Sequence, residues 1–544
     1  MTLRSPRSRA PKLRHAAPFL AAAMAVLSAL TAAVAHAAPP GEDGRTLLRA
    51  ANLITQLQLE EAATLLGPLA VRHPNDADVS FELALLRFHR GEYATSVQAL
   101  DRAIAQGPRA PDLAERRELR TLIASTQEAT ATFVEVRSPD GRFVVRHAPG
   151  PDAVLVPYAF EALAGADAAL SVVLGTRMPG PVRLELYPTP RALSRVSSLS
   201  VEDIERTGTV ALCKWDRLMV TSPRALVRGY PWMDTIGHEY VHLVLARASH
   251  DRAPVWLQEG IAKFLEARWR GGPPAGAALD PASAALLFAA VRDGHLLPFD
   301  RLHPSIARLP SQEDAALAFA QVATFIESFV RRYGEAKLRD AITRVAAGVD
   351  AREALGAAVG KTFAQLETDW KSDLRARPSP PADPPSVLAL HFRRGAGEAD
   401  ESLDVAVDAA RRHLRLGDLL WDRQRPQAAA AEYAKAHNAA PDDPIIASRL
   451  ARAALAAGDA QRAVDALSRA VSRYPDHAPT HAVLGAARLA LGDLGAARTS
   501  LREALRINPF DPAPHCDLAR ATETDTERAR EDAACRALRS GVAR

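Results

Sequence analysis

Residues 234–262 read DTIGHEYVHLVLARASHDRAPVWLQEGIA, and their reading decides what the middle of the chain is. Apolar residues recur at helical spacing over Asp234–Ala248, and Asp234 is a residue type expected to cap that helix at its N-terminus. Positions four apart share a helix face, so His238 and His242 can direct imidazole nitrogens at a single ion. Glu239, beside the first histidine, can reach a water held by such an ion without ligating the ion itself. The bland alternative is two ordinary helix-face histidines, and the surrounding sequence has to decide. Pro254 opens a second helix, PVWLQEGIAKFLE, which carries Glu259 and Glu266.

Upstream of this pair the period changes. Pro139-Asp140-Gly141 is a hairpin turn joining Thr132–Arg137 to Arg142–His147. Val182, Leu184 and Leu186 alternate with Arg183 and Glu185, which marks a strand over Val182–Tyr187, and another extended pair is expected over Thr209–Cys213 and Arg217–Thr221. After Pro231 the chain reads as helix to about Arg375. Pro378-Ser379-Pro380-Pro381-Ala382-Asp383-Pro384-Pro385 then reads as a stiff linker, taken to span 377–388. Residues 130–376 are therefore expected to form an α+β domain, a small sheet followed by helices carrying the HExxH segment.

Self-similarity appears on both sides of this domain. Pro441, Pro475 and Pro509 lie 34 residues apart, the period of the tetratricopeptide repeat. Ala429, Ala463 and Ala497 occupy the small position where paired helices cross, Tyr433, Leu467 and Leu501 the large one after it, and Ala436, Ala470 and Ala504 the next small one. Leu416-Gly417 and Leu484-Gly485 keep the small site of the first helix. Small residues facing large ones are what lets two helices approach closely. Pro74 and Pro108 are also 34 apart, with Leu83-Ala84, Gly91, Leu100 and Ala103 between them. All-helical repeats are thus expected over 43–126 and 403–540, the latter closed by a helix pair near 512–540. Such stacks offer surfaces to peptides and proteins, so they are read as binding a substrate or a protein partner.

HEYVH followed by WLQEGIAKFLE resembles the gluzincin zinc metallopeptidases, the peptidase MA-like group, in which an acidic residue on the second helix completes the metal site. The resemblance implies one zinc ion per chain held by His238, His242 and Glu259, with Glu239 as general base for hydrolysis of peptide bonds. Glu259 stands 17 positions after His242, a separation that lets the chain leave the first helix, turn and run back beside it. Glu266 is the alternative acidic ligand, but the family motif points to the earlier residue. The metzincin pattern would need Gly at Leu245 and His at Ala248. The likeness runs on, more weakly, to Tyr333-Gly334 and Trp370. Two positions depart from it. Phe319-Ala320-Gln321 stands where related sequences often carry Tyr before Ala-Gln, which removes a phenol that could stabilise the oxyanion and leaves Tyr230, His250 and Tyr333 as candidates. Lys263 lies one turn after Glu259, where thermolysin-like enzymes place an acidic partner. The strand near Arg217–Thr221 is expected to offer an edge to an extended substrate. The rival reading is a catalytically silent zinc-binding domain on a repeat scaffold.

Arg4, Arg7, Arg9, Lys12 and Arg14 precede an apolar run from Ala16 to Val34 and then Ala35-His36-Ala37, the small-x-small pattern a signal peptidase cuts. Residues 1–37 are read as a signal peptide and the protein as exported, periplasmic or secreted. The chain holds 68 basic and 64 acidic residues, and taking away the five basic residues of 1–37 leaves 63 against 64. That balance argues against nucleic acid as a partner, which calls for a basic patch. No integral membrane span is expected in the mature chain. Three cysteines are too few for a disulfide framework; Cys213 stands alone, and Cys516 and Cys535 either pair across a helical hairpin or remain separate thiols. We expect N-terminal sequencing of the exported protein to begin at Ala38; a chain still starting at Met1 refutes the cleavage.

Overall fold

The computed structural model describes residues 41–271, 279–302, 306, 309–378 and 401–540, with scattered positions between 380 and 393. The signal peptide read over 1–37 lies outside the described residues, as do positions 379, 382, 383 and 386 of the Pro-rich stretch. Five helices come first: α1 (Glu42–Thr55), α2 (Leu59–Arg72), α3 (Ala77–His89), α4 (Tyr93–Gln106) and α5 (Leu113–Thr130). Asp76 caps α3 by accepting from the backbone N–H groups of Asp78 and Val79. Strands β1 (Val134–Arg137) and β2 (Phe143–His147) form the expected hairpin. Helix α6 (Val156–Val173) then leads to β3 (Val182–Tyr187), which lies parallel to β2. Two short helices, α7 (Pro190–Arg195) and α8 (Val201–Thr207), precede the hairpin of β4 (Ala211–Lys214) and β5 (Arg217–Thr221). Trp215 and Asp216 turn it with φ of 55° and 56°, the positive pair that a two-residue hairpin turn matching strand twist requires.

The strand order is β1-β2-β3-β5-β4. Arg217–Thr221 is therefore an interior strand, paired on both sides, and cannot accept an added strand. The free edge on that side belongs to β4, a correction that follows because the chain passes from β3 over one position to β4 and β5 returns to fill the place between them.

Both faces of the sheet are covered. Val182, Leu184 and Leu186 of β3 face a core shared with α6 and the later helices. The opposite face places Tyr187 and Met219 in a second core with Leu47, Leu66, Phe88 and Leu100 of the N-terminal repeats. The polar residues of β3 are thus buried beneath those repeats. Glu185 and Arg217 have fully buried side chains, with Arg217 Nη1 2.9 Å from Glu185 Oε2. The Glu185 carboxylate also accepts from Tyr93 of α4 at 2.6 Å, Tyr187 at 2.6 Å and Arg146 at 3.0 Å. Burial alone would raise its pKa, yet Arg217 and the phenol donors hold it below the usual carboxylate value.

Helices then follow: α9 (Trp232–Ala248), α10 (Val255–Leu265), α11 (Pro281–Asp293), α12 (Gln312–Tyr333), α13 (Glu335–Ala346), α14 (Ala351–Val359) and α15 (Phe363–Arg375). The segment Pro151–Val173 is apolar and long enough to cross a membrane, which corrects the expectation that no stretch after the signal peptide is. It lies in the core, with Ala159, Ala162 and Leu163 buried and Asp167 accepting from Arg142, Arg177 and Tyr240.

The C-terminal repeats comprise α16 (Asp408–Asp422), α17 (Pro426–Ala439), α18 (Pro444–Ala456), α19 (Ala460–Arg473), α20 (Ala478–Ala490), α21 (Leu494–Ile507), α22 (Pro512–Ala521) and α23 (Asp525–Arg539). A Cβ on Gly417 would come within 2.4 Å of the Tyr433 ring, and one on Gly485 within 2.6 Å of Leu501, so the small-to-large pairing read from the repeat is enforced by contact. Cys516 and Cys535 form a disulfide between α22 and α23. Ala497, Leu501, Leu505, Leu518 and Ala521 belong to the same core as α6 and α9. The residues just past the Pro-rich segment are likewise docked: Val227 N–H donates to His391 O at 2.9 Å, and the Gln312 amide bonds both the N–H and the carbonyl of Leu390. The three units are one packed body.

Removing the buried cation should show how far the N-terminal repeats depend on the sheet. Arg217→Met leaves Arg146 as the one cation at the buried Glu185 carboxylate and should cost about 3–5 kcal/mol, whereas Tyr93→Phe, which removes one donor of four, should cost about 1–3 kcal/mol. Urea unfolding followed by circular dichroism measures both.

Candidate metal centre

Helix α9 begins at Trp232, directly after Pro231, two residues before the expected cap. Asp234 lies inside the first turn, and its carboxylate accepts from side chains outside the helix: Trp269 Nε1 at 2.9 Å, Arg270 Nη2 at 2.8 Å and Arg506 Nη1 at 2.8 Å. Helix α10 follows after the turn at Ser249–Ala253 and packs beside α9. Gly237 permits the approach, since a Cβ there would sit 2.4 Å from the carbonyl oxygen of Glu266. Gly260 does the same for α10 against α12, where a Cβ would be 2.9 Å from Val322 O. Each glycine adjoins a residue singled out in the sequence, His238 and Glu259.

The crossing brings three side chains together. His238 Nε2 and His242 Nε2 are 3.2 Å apart, and Glu259 Oε2 lies 3.2 Å from the first and 3.4 Å from the second. Two imidazole nitrogens and a carboxylate oxygen spaced this way match the edges of a tetrahedron around an ion with ~2.0–2.1 Å bonds, which are ~3.3 Å long. His238, His242 and Glu259 could therefore hold one divalent cation. The carboxylates around the cluster favour a positive charge at its centre, a proton or a cation. Burial disfavours a charged imidazole, but Glu259 and Glu266 push His238 up to about 10. Burial works against ionisation of Glu259 as well, and the two histidines hold it well below the usual carboxylate range.

Glu266, the alternative ligand, sits on the far side of His238, with Oε2 3.3 Å from Nδ1. Its other oxygen receives Lys263 Nζ at 2.6 Å. The acidic partner that the sequence lacks at Lys263 is thus supplied by Glu266, and the lysine braces it. An outer carboxylate of this kind fixes the orientation and tautomer of a ligating histidine. The signal was legible in principle, because Glu266 stands one turn after Lys263 on the same helix.

Glu239 is 5% exposed, and its Oε2 has no hydrogen-bond partner. Burial raises its pKa, with His242 and His238 opposing. It opens on a cleft of about 790 Å³. The walls are Thr209–Ala211 leading into edge strand β4, Thr235 and His238 of α9, Lys263 and Glu266 near the end of α10, Phe319 of α12, and Pro475, Asp476, Glu503 and Arg506 of the C-terminal repeats. Phe319 stands edge-on to His238, ring centroids 6.1 Å apart. Of the oxyanion candidates, Tyr230 lines the cleft but donates its hydroxyl to Thr221 O. Tyr333 donates to Asp369 instead, and His250 lies beyond the end of α9; neither borders the cleft.

An α+β unit with this helix pair is thus set between two sets of helical repeats. Residues 163–376 match the peptidase MA superfamily, and residues 47–111 and 448–512 match the tetratricopeptide repeat. The chain therefore carries a peptidase MA superfamily domain flanked by tetratricopeptide repeats, which are protein-interaction modules. Similar solved structures include a thermophilic tetratricopeptide-repeat protein of Thermus thermophilus, at 27% identity over 24% of this chain and 74% of that one, TM-score 0.22. The first repeat domain of Spaghetti (RPAP3) bound to an HSP90 peptide shares 22% identity over 22% of this chain and 94% of that one, TM-score 0.20. Native yeast LTA4 hydrolase shares 11% over 74% and 66%, TM-score 0.30. No curated protein matches the chain.

Proposed function

We propose that this protein is an exported zinc-dependent metallopeptidase. The observation that carries the reading is the convergence of His238, His242 and Glu259 to within 3.2–3.4 Å of one another, beside a buried Glu239 that lines the cleft and has one carboxylate oxygen without a partner. Two neutral nitrogens and one carboxylate oxygen form the donor set of a hydrolytic zinc site with a position left open. A zinc ion there would supply Lewis acidity, making a water acidic near neutral pH and polarising the scissile carbonyl. Glu239 takes the proton from the attacking water on its carboxylate and later delivers it to the leaving amine. Glu266 holds the His238 ring in place through Nδ1. An extended peptide can lie along β4, whose outer backbone groups are the ones left unpaired by the sheet. The free Glu239 oxygen favours this over a silent zinc domain, where a buried unpaired carboxylate would be a cost without a use.

Export rests on the basic, apolar and Ala-His-Ala sequence of the first 37 residues. The repeats are proposed to bind the protein substrate or a partner protein.

The two glutamates test the site because they play unlike parts. Glu259→Ala removes one of three protein ligands and should abolish near-stoichiometric zinc retention, measured by metal analysis after dialysis. Glu239→Gln leaves all three ligands, so it should keep about one zinc per chain while peptide hydrolysis falls ~10²–10⁴-fold or more. Undiminished hydrolysis by Glu239→Gln, or wild-type zinc retention by Glu259→Ala, would contradict the assignment.

A further inference from the structure

The C-terminal repeats reach the metal centre through Asp234. This residue lies one helical turn before His238, and of its three partners Trp269 and Arg270 follow directly on α10, the helix of Glu259. Asp234 thus fastens the helix carrying both histidines to the end of the helix carrying the third donor. The remaining partner, Arg506, comes from the last turn of α21 and is 6% exposed. Each nitrogen of its guanidinium serves a different carboxylate: Nη1 to Asp234 at 2.8 Å, Nη2 to Asp476 at 2.9 Å and Nε to Glu503 at 2.8 Å. A planar fork meets the three from separate nitrogens in fixed directions, whereas the three donors of an ammonium all sit on one atom.

The backbone repeats the connection. The last carbonyls of a helix lack partners within it, and at the end of α21 Leu505 O accepts from Trp232 Nε1 at 3.3 Å and Ile507 O from Tyr230 N–H at 3.1 Å. At Gly229 the two segments are so close that a Cβ would stand 2.4 Å from Ile507 O. The residues leading into α9 and the final turn of α21 therefore satisfy one another's polar groups.

We infer that Arg506 is a positioning residue for the metal centre, through which the C-terminal repeats set α9 against α10 and so fix the distance of His238 and His242 from Glu259. The inference rests on the proposed metal site. Arg270, which shares Asp234, is 36% exposed and close to Glu503, so solvent screens it more than buried Arg506.

The test uses the full-length protein and measures zinc affinity by competition with a chelator. Helix content and thermal unfolding serve as checks on folding. Arg506→Met should weaken zinc binding ~10–100-fold, the usual effect of losing an outer partner of a metal site. Arg506→Lys, which keeps the charge but not the fork, should fall between. Arg502→Met, on the same helix but directed at Glu527, should bind zinc as the wild type does. Asp234→Asn should weaken binding too, and adding an Arg506 substitution to it should cost little more, because both act through one contact. A merely structural role for Arg506 would lower stability without this coupling in metal affinity. Should Arg506→Met not fold, Arg506→Lys with and without Asp234→Asn gives the same comparison. Wild-type zinc affinity in a folded Arg506 variant, or fully additive losses with Asp234→Asn, overturns the inference alone. A wild-type chain that takes up no zinc overturns the site on which it rests.

Discussion

The fully buried pair of Arg217 and Glu185 commits the whole chain to one arrangement. Two charges out of water are tolerated only where every donor and acceptor is met, and Glu185 is met by further side chains from three places: Arg146 of neighbouring strand β2, Tyr187 of its own strand and Tyr93 of the N-terminal repeats. The sheet therefore cannot present that face to solvent as an ordinary amphipathic sheet would. The repeats close it, and their own Leu and Phe residues complete the apolar layer around the pair. On the opposite face α6 and α9 lie against the strands, so the helix carrying His238 and His242 is supported by a sheet that is itself supported from behind.

Much of this was legible in the residues. The spacing of His238 and His242 placed both on one face, and the 34-residue recurrence of Pro441, Pro475 and Pro509 placed the C-terminal helix pairs, because each signal is local and tied to helix geometry. The likeness of WLQEGIAKFLE to a known second helix singled out Glu259, which the fold sets beside the histidines. What could not be read depended on partners far along the chain. Arg183 and Glu185 look like the solvent side of a strand, and only Tyr93 and Arg217 reveal them as interior. Asp234 has the chemistry of a cap, but Pro231 starts the helix earlier and Arg506 claims the carboxylate. Arg217–Thr221 reads as a strand without stating that β4 lies outside it. The pairing of Cys516 with Cys535 needed the angle between two helices.

The repeats also mean something different here from what their period suggests. Leu505, Leu518 and Ala521 lie in the core of the peptidase domain. Tyr158 of α6 donates to Glu531, which also bonds His515, all three buried. Part of the surface that such helices use to hold other proteins is spent on this chain's own central domain. Phe392 and Leu390, just past the proline-rich stretch, are held against the same body, so the two units are not free to swing about a hinge.

The contact between Arg506 and Asp234 has a consequence in time. A ribosome delivers the chain from its N-terminus at ~5–20 residues per second. The histidines and Glu259 therefore emerge on the order of 10–50 s before the arginine that holds their helix in place. During that interval a nascent chain owns every donor of the centre but not the brace between its two helices. The place of that brace in the C-terminal repeats makes completion of the site wait on them, a delay set by chain order alone.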